Sequence, residues 1–199
     1  MRRWRIVVPA LATGGGVSVA IARQSAFIRA RTCVTLSKMD ARDVSTFLLP
    51  AEPRVEPASE ADWAAIEALT RTAGLPSAGL AEQFPRAYAV ARGAGGVLGV
   101  AGLQAFGAFG LLRSVVVRAG HRGAGLGRAL VSDRLAAASR AGLEGVYLLT
   151  SGAAPWFRNL GFVPALRAAA PRELAESPEF SEACPLSADC LFLPLAASR

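Results

Sequence analysis

Cysteine is scarce in this sequence. Cys33, Cys184 and Cys190 are three in 199 residues, an odd number at irregular spacing, which builds no disulfide framework. The five residues between Cys184 and Cys190 match no zinc pattern, so no metal is expected, and reduced thiols in a cytoplasmic protein are the simplest account of all three. Acidic residues are missing from positions 1–38, which carry Arg2, Arg3, Arg5, Arg23, Arg29, Arg31 and Lys38. The remaining 15 basic residues are balanced by all 15 acidic ones, so the net charge of +7 belongs to one end and not to a folded face. Aromatic and basic side chains do not interleave in the body of the chain, which argues against nucleic acid as a partner. An unbroken apolar run of membrane-spanning length is also lacking. Residues 6–22 carry no charge for 17 positions, but Pro9 and Gly14-Gly15-Gly16 interrupt any helix there. No membrane partner is expected, and no internal repeat is present.

The first 53 residues read as an extension that is poorly ordered or stems from a start assigned too early, with Met39 as the alternative first residue. The basic start, the uncharged stretch and Ala20-Ile21-Ala22 resemble a secretory signal. Pro9 and the glycine run count against that reading, and an Arg-rich, acid-free transit segment is a further one. Residues 54–199 form the expected domain. With 52% apolar and 19% charged residues the chain as a whole is globular in composition.

Along that domain, Arg54–Pro57 reads as a strand. Ser59-Glu60-Ala61-Asp62 is a capping-box pattern opening a helix to Thr72, with Trp63, Ile66 and Leu69 on one face. Ser77–Phe84 reads as a second short helix. Ala87–Arg92 and Val97–Gln104 are strands joined by Gly93-Ala94-Gly95-Gly96, and Leu111–Val117 is a third hairpin-linked strand. Leu126–Ala141 is a long helix whose Leu126, Leu130 and Ala137 share a face that Val131, Leu135 and Ala138 widen. Gly145–Thr150 is a buried strand, Ala153–Leu160 a short helix, and strands at Phe162–Pro164 and Ala188–Leu195 follow, with helical turns near Pro171–Ala175 and Pro178–Ala183 between them. Strands run in succession and then alternate with helices. This order gives an α+β (mixed α/β) class rather than a regular parallel alternation.

The chemistry concentrates between Val115 and Leu130. The strand Val115-Val116-Val117 enters a loop carrying Gly120, Gly123 and Gly125, and a helix starts at Leu126. Amides at a helix start have no intrahelical partner, the helix dipole adds positive potential, and glycines let an anion approach the main chain. The arrangement suits a pyrophosphate. Gly127-Arg128-Ala129 is not the Gly-Lys-Ser/Thr of a Walker loop, and Arg128 stands where a dinucleotide fingerprint needs glycine. The spacing Arg122-x-x-Gly125-x-Gly127 resembles the acetyl-CoA loop of the GNAT superfamily of N-acetyltransferases. Trp156-Phe157-Arg158-Asn159-Leu160-Gly161-Phe162 resembles the same family's later helix. The resemblance implies the GNAT fold, a mixed, mostly antiparallel sheet splayed between the fourth and fifth strands and flanked by helices. It also implies acetyl-CoA as co-substrate, with Val115, Val116 and Val117 pairing with the pantetheine arm and Arg122, Gly123, Ala124, Gly125, Leu126, Gly127 and Arg128 around the pyrophosphate.

The reaction implied is attack of a neutral amine on the thioester, with a donor for the departing thiolate. Phe157 stands where many GNAT enzymes carry the tyrosine acid, and Leu111-Leu112-Arg113-Ser114 holds no carboxylate base. The catalytic groups are therefore unassigned, with Thr150 and Ser151 as the nearest polar candidates and His121 read as a loop residue. An α-amine is roughly 14% neutral at pH 7 against about 0.04% for a lysine, which favours an α-amine where no base is evident. Arg113, inside an apolar strand, either forms a structural salt bridge or binds an acceptor carboxylate as a fork. Leu148–Arg158 resembles the acetyltransferase domain of bacterial glutamate N-acetyltransferases. Gly74-Leu75-Pro76, Leu112-Arg113-Ser114 and Ser177–Pro185 resemble bacterial arsenic-resistance GNAT proteins. These imply a small, amino-acid-like amine acceptor, with an arsenical among the options. Acetylation of a protein or peptide amine and a non-catalytic CoA-binding module are the competing readings, and a homodimer is left open.

Overall fold

The computed structural model describes residues 53–196; the expectations for residues 1–52 lie outside the described residues. Strand β1 (Arg54–Pro57) leads through a 3-10 turn at Glu60–Asp62 into helix α1 (Trp63–Thr72). The turn is held as its sequence suggests, with Asp62 Oδ2 accepting from both the amide and the hydroxyl of Ser59 at 2.8 Å. Strands β2 (Tyr88–Gly93), β3 (Gly96–Phe106) and β4 (Phe109–Val117) follow, then α2 (Leu126–Arg140), β5 (Gly145–Thr150), α3 (Ala154–Arg158), β6 (Val163–Pro164), α4 (Arg172–Ala175), a single wide turn at Glu179–Ala183 and β7 (Asp189–Pro194).

The seven strands form one sheet in the order β1-β2-β3-β4-β5-β7-β6. Every pairing is antiparallel except β4 with β5. Alternation along β2 decides which face each side chain meets. Tyr88 and Val90 join Ile66 of α1 on one face, with Val97, Val100 and Val116. Ala89 and Ala91 join Leu126 and Leu130 of α2 on the other. Further along the α2 face, Val131 and Ala138 pack with Leu112, Val146, Leu148, Phe157 and Phe162. The opposite face closes around Leu111, Tyr147, Leu149, Leu174 and Phe180. A small residue in β5 also makes room for a ring on the neighbouring strand β7. A side chain at Gly145 would drive into the Phe192 ring, with the Leu193 carbonyl 3.1 Å away. Gly145→Val should therefore destabilise the domain by about 2 kcal/mol, as overpacking does, and a chemical denaturation midpoint would register the loss.

One expected element is absent. Ser77–Phe84 is a series of turns and not a helix. Gly79 (φ 70°) and Gln83 (φ 58°) are both left-handed, which a right-handed helix does not accommodate. Bonds to β3 replace the missing helical ones. Gln104 Nε2 donates to the carbonyls of Gly79 at 2.7 Å and Glu82 at 3.0 Å. Gln83 pairs with Ala105 through both its amide oxygen and nitrogen.

Two irregularities in β4 shape the centre of the sheet. Val100 pairs with Val116 and Gly102 with Arg113, so Ser114 and Val115 together oppose Ala101. This is a β-bulge, and Ser114 sits at φ 52° within it. The parallel ladder to β5 runs only from Phe109–Gly145 to Leu111–Tyr147. Beyond Leu111 the two strands part, as the splayed sheet requires.

Candidate active site

The parting of β4 and β5 opens a cleft of about 520 Å³, lined by Val115, Val117, His121, Arg122, Gly123, Gly125, Leu126, Gly127, Arg128, Ala153, Trp156 and Phe157. Local sequence explains its floor. Gly123 (φ 79°) and Gly125 (φ 84°) take left-handed backbone that L side chains rarely adopt, and Gly125 is the residue from which α2 starts. The amide of Ala129 is the first in this run to find a backbone acceptor, the Gly125 carbonyl at 3.0 Å. The amides of residues 123–128 have none among the described residues. They form a row of free donors at the positive end of a 15-residue helix. Arg122 Nε donates to the Val117 carbonyl at 3.0 Å and fixes the loop to the end of β4. Arg122, Arg128 and His121 add cationic or polar character, and no acidic side chain lines the cleft. A side chain at Gly127 would sit 3.4 Å from Trp156, so α3 forms the far wall against the start of α2.

Eight of the ten residues expected around the co-substrate line this cleft. Val116 does not. It lies on the opposite face of β4 with Val100 and Ile66, because strand alternation turns it away from Val115 and Val117. Ala124 belongs to the loop but does not line the cavity. Trp156 and Phe157 of the second motif also line it, with Ala153 just before the motif.

The two polar candidates for catalysis, Thr150 and Ser151, stand aside from the cavity. Thr150 Oγ1 accepts from the Ala153 amide at 3.3 Å and so helps start α3, while Ser151 is exposed. Phe157 is buried in the core and contributes an apolar edge to the cleft. Among the described residues no cluster of three or more His, Cys, Asp or Glu forms a metal site. No helix there is long and apolar enough to cross a membrane.

Arg113 lies on the other face of β4. Its Nε stands 3.0 Å from Glu179 Oε2, and both side chains are almost wholly buried. Its Nη2 donates to the carbonyls of Ala78 at 2.7 Å and Pro76 at 3.3 Å, and its Nη1 reaches Gln104 Oε1 at 3.4 Å. Burial pushes the Glu179 carboxyl above its ordinary value, with Arg113 acting in the opposite sense. Beside this pair is Tyr88, fully buried, whose hydroxyl has no hydrogen-bond partner among the described residues. Burial drives its acidity down, to a pKa of about 12. Glu179 sits in a tail already notable in the sequence. Nothing in the sequence marks Tyr88, because a strand tyrosine reads as core.

The fold is the GNAT fold. Residues 85–164 match the family model for the acetyltransferase (GNAT) domain. No curated protein matches the chain in sequence. Among solved structures, N-acetylglutamate synthase from Neisseria gonorrhoeae complexed with coenzyme A and L-arginine is 21% identical with a TM-score of 0.62. That match covers 73% of this chain and 34% of the synthase, so the chain spans about a third of the length of that protein. Rv2747 from Mycobacterium tuberculosis, in complex with CoA and NLQ, is 24% identical over 72% of this chain and 100% of its own, with a TM-score of 0.63. Ard1 from Thermoplasma volcanium is 16% identical over 73% of this chain and 99% of its own, with a TM-score of 0.58. At these identities the likeness is one of fold.

Proposed function

We propose that this protein moves the acetyl group of acetyl-CoA to the amine of a small, amino-acid-like acceptor. The observation that carries the reading is the row of unpartnered amides at 123–128 opening onto the gap between β4 and β5. The residues present suit the co-substrate. The amides and the Arg122 and Arg128 side chains would hold the diphosphate. The unpaired edge of β4 beyond Leu111 would hydrogen-bond the amide-bearing pantetheine arm as an added strand does. Acetyl-CoA supplies the thioester carbonyl; the chain's part is to bind, align and exclude water.

Phe157 bears on the proton inventory. A thiol with pKa near 8.5 leaves tolerably as thiolate, so a weak donor suffices. Thr150, Ser151 and solvent are the available sources, and Thr150 keeps its O–H free to donate while its oxygen accepts from Ala153. The Thr150→Val, Ser151→Ala double variant should lower kcat by about fivefold or less, well under the 10²–10⁴ that an obligatory general acid contributes. A larger loss in a stopped-flow thiol assay would assign the acid to these hydroxyls. Without a base, the acceptor amine must be partly neutral in solution, which an α-amine satisfies better than a lysine. Arg113 is the candidate for holding the acceptor's carboxylate.

The test is release of free thiol from acetyl-CoA with the L-amino acids, their α-amides, amino-acid-like arsenicals and short peptides as acceptors. The arsenicals enter through the resemblance at Leu112-Arg113-Ser114 and Ser177–Pro185. Turnover of free amino acids above their amides is expected. Turnover of peptides alone would replace the acceptor assigned here, and tight CoA binding without turnover on any amine would make this a CoA-binding module.

A further inference from the structure

Arg113, Gly102 and Tyr88 are cross-strand partners on β4, β3 and β2, so Arg113 and Tyr88 project from the same face. Gly102 between them has no side chain, and the Tyr88 ring lies across that gap, its Cε1 2.5 Å from where a methyl on Gly102 would stand. The phenol thereby reaches toward Arg113, whose charge it feels together with those of Glu179 and Glu82. This buried cluster holds one cation, one carboxylate and one hydroxyl without a partner. Its roof consists of two loops, the turns after α1 and the segment after α4. They meet where Gly79 lies against both Arg113 Nη1 and Pro178. Glu179 is the first residue of the wide turn that follows Pro178, so its carboxylate is delivered by a connecting segment and not by the sheet.

A buried O–H without an acceptor costs stability, a cost that a ligand bringing an acceptor would remove. The buried carboxylate already on Arg113 makes that supply feasible. Exchanging Glu179 for another carboxylate swaps like for like, since the released group regains the hydration that the incoming one gives up. The incoming group gains the Tyr88 hydroxyl in addition. A ligand with only an amine or an amide has no means to displace the glutamate. We propose that Glu179 is a resident counter-carboxylate of the acceptor site. On binding, the acceptor's own carboxylate takes Glu179's place on Arg113 and accepts a hydrogen bond from Tyr88. Glu179 and Tyr88 are then the specificity-determining residues for carboxylate-bearing amines. This rests on the small-acceptor reading above.

Two measurements on the full chain test it. In steady-state kinetics with the best amino acid of the panel and its α-amide, Glu179→Gln should lower KM for the amino acid about tenfold and leave the amide unchanged. Tyr88→Phe should raise the amino-acid KM several-fold with a smaller effect on kcat. Glu179→Asp, which keeps the charge on a shorter arm, should fall between wild type and Glu179→Gln, and it serves if Glu179→Gln folds poorly. Equal KM changes for acid and amide would overturn the proposal. The second measurement needs no acetyl transfer. Sodium propionate, against matched sodium chloride, should raise the melting temperature of Glu179→Gln by several degrees and that of wild type by much less. Equal shifts in the two proteins, or none, would sink the exchange of carboxylates even if amino acids are acetylated. A propionate effect specific to the variant would uphold the site even if no amine is turned over.

Discussion

Gly125→Val should weaken acetyl-CoA binding by at least about a hundredfold while leaving the domain folded. A methyl group at Gly125 would meet nothing within 4 Å, yet its φ of 84° is one L residues rarely adopt. A β-branched side chain there costs about 1–3 kcal/mol in backbone strain, which the exposed loop relieves by turning residues 123–126 out of the left-handed region. That movement re-aims the free amides. Hydrogen bonds to a charged group contribute about 1.5–3 kcal/mol each, so misdirecting two of them removes about 3 kcal/mol or more, a factor of 10² or greater. Gly127→Ala is the matched control. Gly127 lies inside α2 with helical backbone, and its added methyl would sit 3.4 Å from Trp156, a contact that a half-exposed ring relieves by a small shift. It should change affinity by less than about fivefold, a difference well below 1.4 kcal/mol. Titration calorimetry with CoA on the two variants measures both. Equal losses at 125 and 127, or none at 125, would remove the diphosphate from this loop.

The legibility of the sequence followed the range of the interactions. Hairpin strands with alternating or continuous apolar residues, the capping box at Ser59–Asp62 and the glycine-rich entry to α2 are set by neighbours a few positions apart. The structure has each of them within a residue or two of its expected place. The Ser77–Phe84 segment defeated local reading because its conformation is imposed from β3. The Gln104 side chain and the Ala105 main chain of β3 supply bonding partners that a helix would have found internally, and no periodicity in residues 77–84 records a partner more than twenty positions away. The same limit governs the site. The loop from Arg122 to Arg128 is one contiguous motif, so its glycines could be recognised together. Val116 turns its side chain to the opposite face, which a motif does not reveal, but the pairing expected of it with the pantetheine arm is through its main chain and does not depend on that face. Thr150 and Ser151 stand out in the sequence only for their polarity at the end of β5, and the Thr150 oxygen accepts from the Ala153 amide, a contact no sequence pattern records. Arg113 was conspicuous as a charge within an apolar strand, but its partner Glu179 lies 66 positions on in the sequence, within a tail whose packing only the tertiary fold defines. Tyr88 was silent because a missing hydrogen bond is a property of three dimensions.

Arg113→Ala should be the most destabilising substitution in the acceptor region, and its cost should depend on pH. The Arg113 and Glu179 side chains are 1% and 7% exposed. Removing one partner of a buried pair leaves the other charge without compensation, at about 3–5 kcal/mol. Burial already raises the Glu179 carboxyl, and Arg113 is the group that opposes the rise. Without it the folded-state pKa climbs further above that of the unfolded chain. A carboxyl with a raised folded pKa binds its proton more tightly in the folded state. Its contribution to stability is therefore fully present below the unfolded value and lost as pH rises through the folded one. The gap in melting temperature between wild type and Arg113→Ala should accordingly be wide at pH 8 and narrow as the pH falls toward 5. A gap that stays constant would mean Glu179 escapes to solvent in the variant. The pair Arg113→Met, Glu179→Leu replaces both charges with apolar volume and should recover most of the lost stability with no such pH dependence. It also separates the two roles of the arginine. With the fold restored, KM for a carboxylate-bearing acceptor should still be raised by tenfold or more, because a thioether offers no fork to a carboxylate. Recovery of both stability and KM in this double variant would reduce Arg113 and Glu179 to a packing device.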